Sequence, residues 1–529
     1  MRGFARYIAA VERTDPIKYV GRVTKVLGIL VESRGPRAVI GEVCQIVSPR
    51  TGTSSWAEVV GLREDAVQLM SYDALEGIEV GCPVIATGEL LRVPVSDRLL
   101  GRVLDSMGRP ADGKGDVASE LFYPSVARPP DAMTRNRITR RVVTGVRSID
   151  GLIPLGRGQR MGIFAGSGVG KSTLLGMIAR NTDADINVIA LIGERGREVR
   201  EFIENDLGPE GLARSVVIVS TSDTPPLSRL RGAYVATAVA EYFRDRGKDV
   251  MLLFDSVTRF ARAQREIGLA SGEPPATRGY TPSVFDSLPR LLERSGTSDK
   301  GSITGIYTIL VDGDDLDEPV SDTVRGILDG HIVLDRRLAQ RNHYPAIDVL
   351  KSVSRLQGAV TGPSSRKVMG YVRKQLAVYA ENEDMITIGA YVKGSSAEVD
   401  EAIERRADVL DFLQQEVDDR APIGDTLSRL GKVAGISIDQ AEVEVAAGGS
   451  APRVARPVPP PSDYDDEELE AELSATLGSV EPPTARTSTA ATATASTAAT
   501  ATAATATAAT ATAAMGDLLS ADAAGKGFR

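Results

Sequence analysis

The chain has 529 residues, enough at typical domain sizes for roughly three to four domains, and its 42% apolar and 25% charged residues are the balance of a folded, water-soluble protein. A formal net charge of -9 confines any nucleic-acid footprint to a local basic patch, and two cysteines in so long a chain exclude a disulfide framework or a Cys/His zinc site. With only His331 and His343, a Ser-His-Asp or histidine-metal mechanism is disfavoured, so catalysis is left to carboxylates, lysine, arginine and backbone.

At the start of the chain, residues 1–18, Phe4, Ile8 and Val11 fall at helical spacing with Arg2 and Arg6 nearby. The pattern suits an amphipathic helix for a partner or an anionic membrane surface, or else a frayed terminus. Glu12, Arg13 and Asp15 interrupt it too early for a secretory signal, and no apolar run reaches the ~18 residues of a spanning helix, so a reducing cytoplasm is the expected compartment. From 19 to 95, β-branched runs at 19–23, 27–31, 38–47, 57–60 and 66–70, broken by Gly and Pro, predict a small barrel or sandwich. The stretch 93–113 reads as a loop-rich connection.

Between 96 and 380, buried strands expected at 161–164, 186–192, 216–220, 250–254 and 304–311 alternate with helical segments, the pattern of a mostly parallel sheet covered by helices. In a helical domain over 381–445, Val399, Ile403, Leu410, Leu413 and Val417 predict an amphipathic helix within 395–435. Residues 446–529 turn to Pro, then acids, then a Thr/Ala repeat; lacking large apolar side chains, this tail is expected to be disordered.

The strongest local signal is Ala165-Gly-Ser-Gly-Val-Gly-Lys-Ser172, between an expected strand and an expected helix. Backbone N–H groups from Gly166, Ser167, Gly168, Val169 and Gly170 would cradle phosphate oxygens, the helix starting near Thr173 adds its positive end, Lys171 supplies a cation and Ser172 a hydroxyl for Mg²⁺. The usual first glycine is here Ala165, which leaves the lysine-proximal glycines intact. Asp255, closing the apolar run 250–254, fits a magnesium-ordering carboxylate, although an acid there is also a common helix N-cap. Glu194, following the run 186–192, is placed to polarise an attacking water, or else belongs to a solvated charged loop.

Three further motifs in fixed order identify a family: Gly193-Glu-Arg-Gly-Arg-Glu198, Pro275-Ala-Thr-Arg-Gly-Tyr-Thr-Pro-Ser-Val-Phe-Asp-Ser-Leu-Pro-Arg-Leu-Leu-Glu-Arg294 and Tyr344-Pro-Ala-Ile-Asp-Val-Leu-Lys-Ser-Val-Ser-Arg355. Over roughly 19–441 the chain resembles the type III protein-export ATPases related to the rotary ATPase alpha and beta subunits. Gly21-Arg-Val-Thr-Lys-Val-Leu-Gly28 and Gly41-Glu-Val-Cys44 look most like the flagellar branch, with injectisome ATPases as close relatives.

The resemblance implies an α/β RecA-like P-loop ATPase core, an N-terminal small β-barrel and a C-terminal helical domain. It implies ATP and Mg²⁺ as cofactors, with Arg195 and Arg259 approaching the γ-phosphate and Glu198 and Asp255 in the magnesium shell. Tyr344 resembles an adenine-stacking aromatic, or is an ordinary core tyrosine. Arg355 resembles an arginine that enters the neighbouring subunit's site, or is a surface ion-pair residue. One chain carrying both Glu194 and Arg355 suggests a homohexamer in which every interface is catalytic.

Implied partners are a cytoplasmic ATPase regulator at the N-terminus, a stalk protein, the export gate and export chaperone–substrate complexes at the cytoplasmic face of the inner membrane, with no nucleic acid. Two competing readings are a terminator-like RNA translocase, which would need exposed aromatics beside basic residues where the barrel region offers Trp56 and few others, and a noncatalytic ring subunit, which has no need of Glu194.

Overall fold

The computed structural model describes residues 18–63, 66–311, 315 and 317–448. The expected N-terminal helix and the Pro, acidic and Thr/Ala tail lie outside the described residues, apart from the first few of the tail.

Six strands close an antiparallel barrel in the order Val20–Leu27, Leu30–Arg34, Ala66–Ser71, Ser54–Arg63, Glu42–Val47 and Pro83–Leu90. Alternate residues, among them Val23, Val31, Ile46, Val59, Leu69 and Val84, point inward and fill it. Cys44 and Cys82 are free thiols in this core, and burial, followed by the nearby Glu42 charge, pushes the Cys44 thiol up to about 12, where it is inert.

Three features of this region differ from the expectation. The run expected at 27–31 straddles the turn between Val20–Leu27 and Leu30–Arg34. The strand expected from 38 begins only at Glu42, because Gly41 turns the chain at φ +88° and leaves Val39 and Ile40 exposed. The closing strand Pro83–Leu90 was not expected; its Pro and Gly content masks a strand pattern. Within the connection read as loop, Val103–Leu104 extends the main sheet and Arg92–Val95 pairs with Leu121–Pro124.

The main sheet runs Ile347–Ser354, Gly330–Leu334, Arg160–Ala165, Ser302–Leu310, Asp249–Asp255, Ile186–Ile192, Ser215–Ser220 and Val103–Leu104. Along this path every pairing is parallel except that of the first two strands. Its central strands are mostly apolar and buried nearly throughout because both faces are covered. Leu252 and Phe254 face one core with helix Pro226–Asp245, while Met251 and Leu253 face the other with helix Lys171–Asn181.

The amphipathic run expected through Val417 is two helices, Ala397–Leu413 and Ile423–Ala434. Val417 lies in the turn between them and is 39% exposed. Helix Pro363–Thr387 passes through residue 380 without a break, joining the nucleotide-binding core to the helical region.

Candidate active site

Strand Arg160–Ala165 delivers the chain into the glycine loop at the C-terminal edge of the sheet, and helix Lys171–Asn181 leads away from it. Gly170 caps that helix at φ +87°, a conformation that turns successive N–H groups into one concavity and that a Cβ would oppose. Ser167 and Ser172 are exposed at the mouth, and Val169 is buried beneath it.

Two neighbouring strands bring their terminal carboxylates to the loop. Lys171 Nζ donates to Asp255 Oδ1 and lies 3.5 Å from Glu194 Oε1. The Thr308 hydroxyl donates to the same Asp255 Oδ1 at 2.8 Å. Thr308 was missed by sequence reasoning; its signal is a hydroxyl near the C-terminal end of the almost wholly buried strand Ser302–Leu310, across from Asp255, since Phe254 pairs with Tyr307.

Glu194 is 7% exposed. Its Oε2 accepts from Arg259 Nη2 at 3.1 Å, while Oε1 has no hydrogen-bond partner. Burial first, then the Asp255 charge, push its carboxyl up to about 7 against the opposing pull of Lys171 and Arg259. Arg259 reaches this position by donating to the Gly193 carbonyl. Gly193 at φ +74° leaves it room, since a Cβ there would lie 2.8 Å from Arg259 Cδ. Ser256 caps the helix Val257–Ala270 that carries Arg259 by accepting from the Arg259 N–H at 3.4 Å.

Four of the sequence-predicted residues, Lys171, Glu194, Asp255 and Arg259, are thus within one contact network. Arg195 is turned outward, paired with Glu198 at 2.8 Å, and does not touch Lys171 or Glu194. Despite partial burial, hydrogen bonding with Glu194 and the charge of Arg195 hold Glu198 below the ordinary glutamate range.

Tyr344 stands against the loop, with its ring 3.5 Å from the place a Gly170 Cβ would occupy. A cavity of about 540 Å³ lies between Gly168, Gly170 and Thr173 on one side and Tyr344, Gln415 and Val417 on another, a size suited to a nucleobase and sugar. Arg355 is exposed, its guanidinium 3.4 Å from the Arg325 carbonyl, and no hydrogen bond or ion pair joins it to Lys171, Glu194 or Asp255.

The Ser172 hydroxyl and the Asp255 and Glu198 carboxylates are hard oxygen donors of the kind Mg²⁺ takes while keeping several waters and sharing its shell with substrate phosphates. Among the described residues, no group of three or more His, Cys, Asp or Glu side chains is placed to hold a metal ion.

Three family models match in chain order: the ATP synthase alpha/beta family beta-barrel domain over residues 23–88, its nucleotide-binding domain over 145–354, and the T3SS EscN ATPase C-terminal domain over 361–432. The flagellum-specific ATP synthase of Treponema pallidum is 60% identical over 82% of this chain and 97% of its own length. That of Bacillus subtilis is 53% identical, over 81% and 98%. The type 3 secretion system ATPase of Xanthomonas euvesicatoria is 51% identical, over 78% and 93%.

Among solved structures, the assembled ATPase EscN of the enteropathogenic E. coli type III secretion system superposes with a TM-score of 0.75 at 45% identity, covering 78% of this chain and all of EscN. The same ATPase in complex with its central stalk EscO gives 0.73. The chain belongs to the ATP synthase alpha/beta family, within the flagellar and type III secretion branch, and is an ATP-hydrolysing enzyme.

Proposed function

We propose that the protein is the Mg²⁺-dependent ATPase of a flagellar protein-export apparatus, working as a homohexameric ring whose sites are shared between neighbours. The observation that carries this reading is the division of labour within one chain: Glu194, Asp255, Lys171 and Arg259 are gathered, while Arg355 stands exposed and apart from them.

In this mechanism Lys171 leaves its two carboxylates for the β- and γ-phosphates, which the backbone N–H groups of 166–170 and the helix N-terminus also hold. Glu194, steadied by Arg259, orients a water and takes its proton as the water oxygen bonds to the γ-phosphorus and the bond from that phosphorus to the bridging oxygen breaks, releasing ADP and phosphate. Ser172, Asp255 and Glu198 would hold Mg²⁺ or its waters, and the bound ion would offset charge on the β- and γ-phosphates. Arg195 and Arg259 approach the γ-phosphate, Tyr344 stacks on adenine, and the neighbour's copy of Arg355 neutralises the transition state.

The EscN–EscO complex and the exposed apolar side chains Met385, Ile388 and Val392, in the last turn of helix Pro363–Thr387 and just beyond it, support a stalk protein as partner. A regulator at the N-terminus, the export gate and chaperone–substrate complexes complete the proposed assembly, at the cytoplasmic face of the inner membrane. Among the described residues no helix is long and apolar enough to cross a membrane. An injectisome role is the second reading, supported by relatives on that side at 51% identity against 60% on the flagellar side. An RNA-translocating role loses support because Trp56 packs against the core instead of standing free to stack on a base.

Mixing two inactive variants tests the shared site. Arg355→Ala and Glu194→Gln subunits should each assemble and lack turnover, and mixed rings should recover part of the wild-type rate, because some interfaces then join an intact Glu194 to an intact Arg355. Full activity of Arg355→Ala alone, or no recovery in rings proven to be mixed by native mass spectrometry, refutes it.

A further inference from the structure

A cavity of about 600 Å³ opens at the end of the sheet where the parallel strands begin, lined by Arg140, Arg141 and Arg157 and by Val360, Glu442 and Val445. Arg157 precedes strand Arg160–Ala165, whereas the glycine loop follows it, so a strand length of roughly 20 Å separates this cavity from the nucleotide pocket.

The carboxylates around the cavity are committed to other hydrogen-bond donors. Arg157 is committed to Asp183 at 2.7 Å and to Asp249. Asp183 also accepts from the Val143 N–H at 2.9 Å. Glu442 caps the first turn of helix Pro363–Thr387, accepting from the N–H groups of Ser364 and Ser365 at 2.9 Å and from the Ser365 hydroxyl at 2.6 Å. Asp150, whose charge also acts on Arg141, is fully engaged by Thr144 and by the Gly145 N–H at 2.8 Å.

Every nearby carboxylate is therefore taken, yet Arg141, 9% exposed, has no hydrogen-bond partner on Nε or Nη2. Arg140 beside it makes no ion pair among the described residues. Burial pulls the Arg141 pKa down against the charges of Asp150 and Asp183; a guanidinium does not escape by deprotonating, and burying its Nε and Nη2 donors without an acceptor is unfavourable.

We propose that this cavity binds a small organic phosphate, its oxyanion held by Arg141 and Arg140 and its carbon body packed on Val360 and Val445. Two adjacent guanidinium groups match the charge of about -1.5 to -2 on a phosphate monoester better than the single charge of a carboxylate. The volume exceeds what a bare ion fills and lies within the range of pockets for small organic ligands. Lining from both the nucleotide-binding body and the last described helix, Gln440–Ala446, lets the ligand tie the two together.

The test uses the full chain saturated with Mg²⁺ and ADP, so that the glycine loop is occupied, titrated calorimetrically with phenyl phosphate and, for comparison, inorganic phosphate. Phenyl phosphate should bind once per chain, more tightly than inorganic phosphate, and about tenfold or more weakly in Arg141→Gln. A thermal scan gives a second readout: phenyl phosphate should raise the wild-type midpoint and leave that of Arg141→Gln unmoved. Absence of saturable binding to the wild type, or equal binding or equal ligand-induced stabilisation in Arg141→Gln, overturns the proposal.

Discussion

Glu194 offers the sharpest test of the catalytic arrangement, because its environment sets the pH at which it can act. Burial pushes its carboxyl up to about 7 from the ordinary glutamate value near 4.5, so ionising it costs about 3 kcal/mol more than ionising a solvated glutamate. The sign follows directly. As a base it works when deprotonated, so its contribution is present above pH 7 and lost as pH falls through 7; the fold, conversely, gives up stability as pH rises from about 4.5 through 7, since the native state holds this proton longer than the unfolded chain.

The profile of kcat/KM reports groups of the free enzyme. Between pH 8 and pH 6 it should fall about tenfold, where a glutamate of ordinary pKa would change it by only a few per cent. The substrate's terminal phosphate titrates near pH 6, so the decisive comparison is with Arg259→Met under identical substrate conditions. That substitution removes a cation 3.1 Å from Glu194 Oε2 and should move the acid limb up by about one pH unit, whatever it does to the plateau. A wild-type profile flat down to pH 5.5, or an acid limb at the same pH in Arg259→Met, refutes the assignment.

Two further substitutions probe the frame around this site. Thr308→Val removes the 2.8 Å hydrogen bond to Asp255 and should raise the Mg²⁺ concentration for half-maximal ATPase about five- to tenfold, with Thr308→Ser restoring it; an unchanged Mg²⁺ titration would show that Thr308 does not position Asp255. Arg294, 1% exposed, forms a two-point ion pair with Glu241 at 2.6 and 2.9 Å, so Arg294→Met should lower stability by about 3–5 kcal/mol in urea denaturation, while adding Glu241→Leu should recover much of the loss by removing the stranded charge.

What the sequence made legible follows the range of the interactions involved. The glycine loop is contiguous, so its residues, its strand and its helix could be read together, and the strands at 186–192 and 250–254 announced themselves as apolar runs ending in an acid. Thr308 was invisible to that reading because the carboxylate it serves is 53 residues away and meets it only through sheet register. Val417 continued the apolar spacing of the helix before it, but the chain leaves that helix after Leu413 to satisfy a tertiary demand. Gln415 accepts from the Arg147 N–H at 2.8 Å and donates to the Gly145 carbonyl at 2.9 Å, which fixes the turn that walls the nucleotide cavity. Pairings across 268 and 270 residues leave no local trace.

The same geometry bears on how substrate would act in the proposed mechanism. Lys171 bridges Asp255 and Glu194, so the cation proposed to bind phosphate is held by the two carboxylates proposed to order metal and water. In the proposed mechanism, arriving phosphates compete for Lys171, and its departure strips one of the two cations from Glu194, leaving Arg259. Loss of that charge favours a protonated Glu194, which would disable the base at the moment it is needed unless further positive charge accompanies the substrate. Metal-bound ATP brings part of that charge, and an arginine from the adjacent subunit brings the rest only when a ring has formed. Asp255 is also held by the Thr308 hydroxyl at 2.8 Å, a contact made without Lys171. In that mechanism, dependence of turnover on assembly would follow from how this pocket balances its charges.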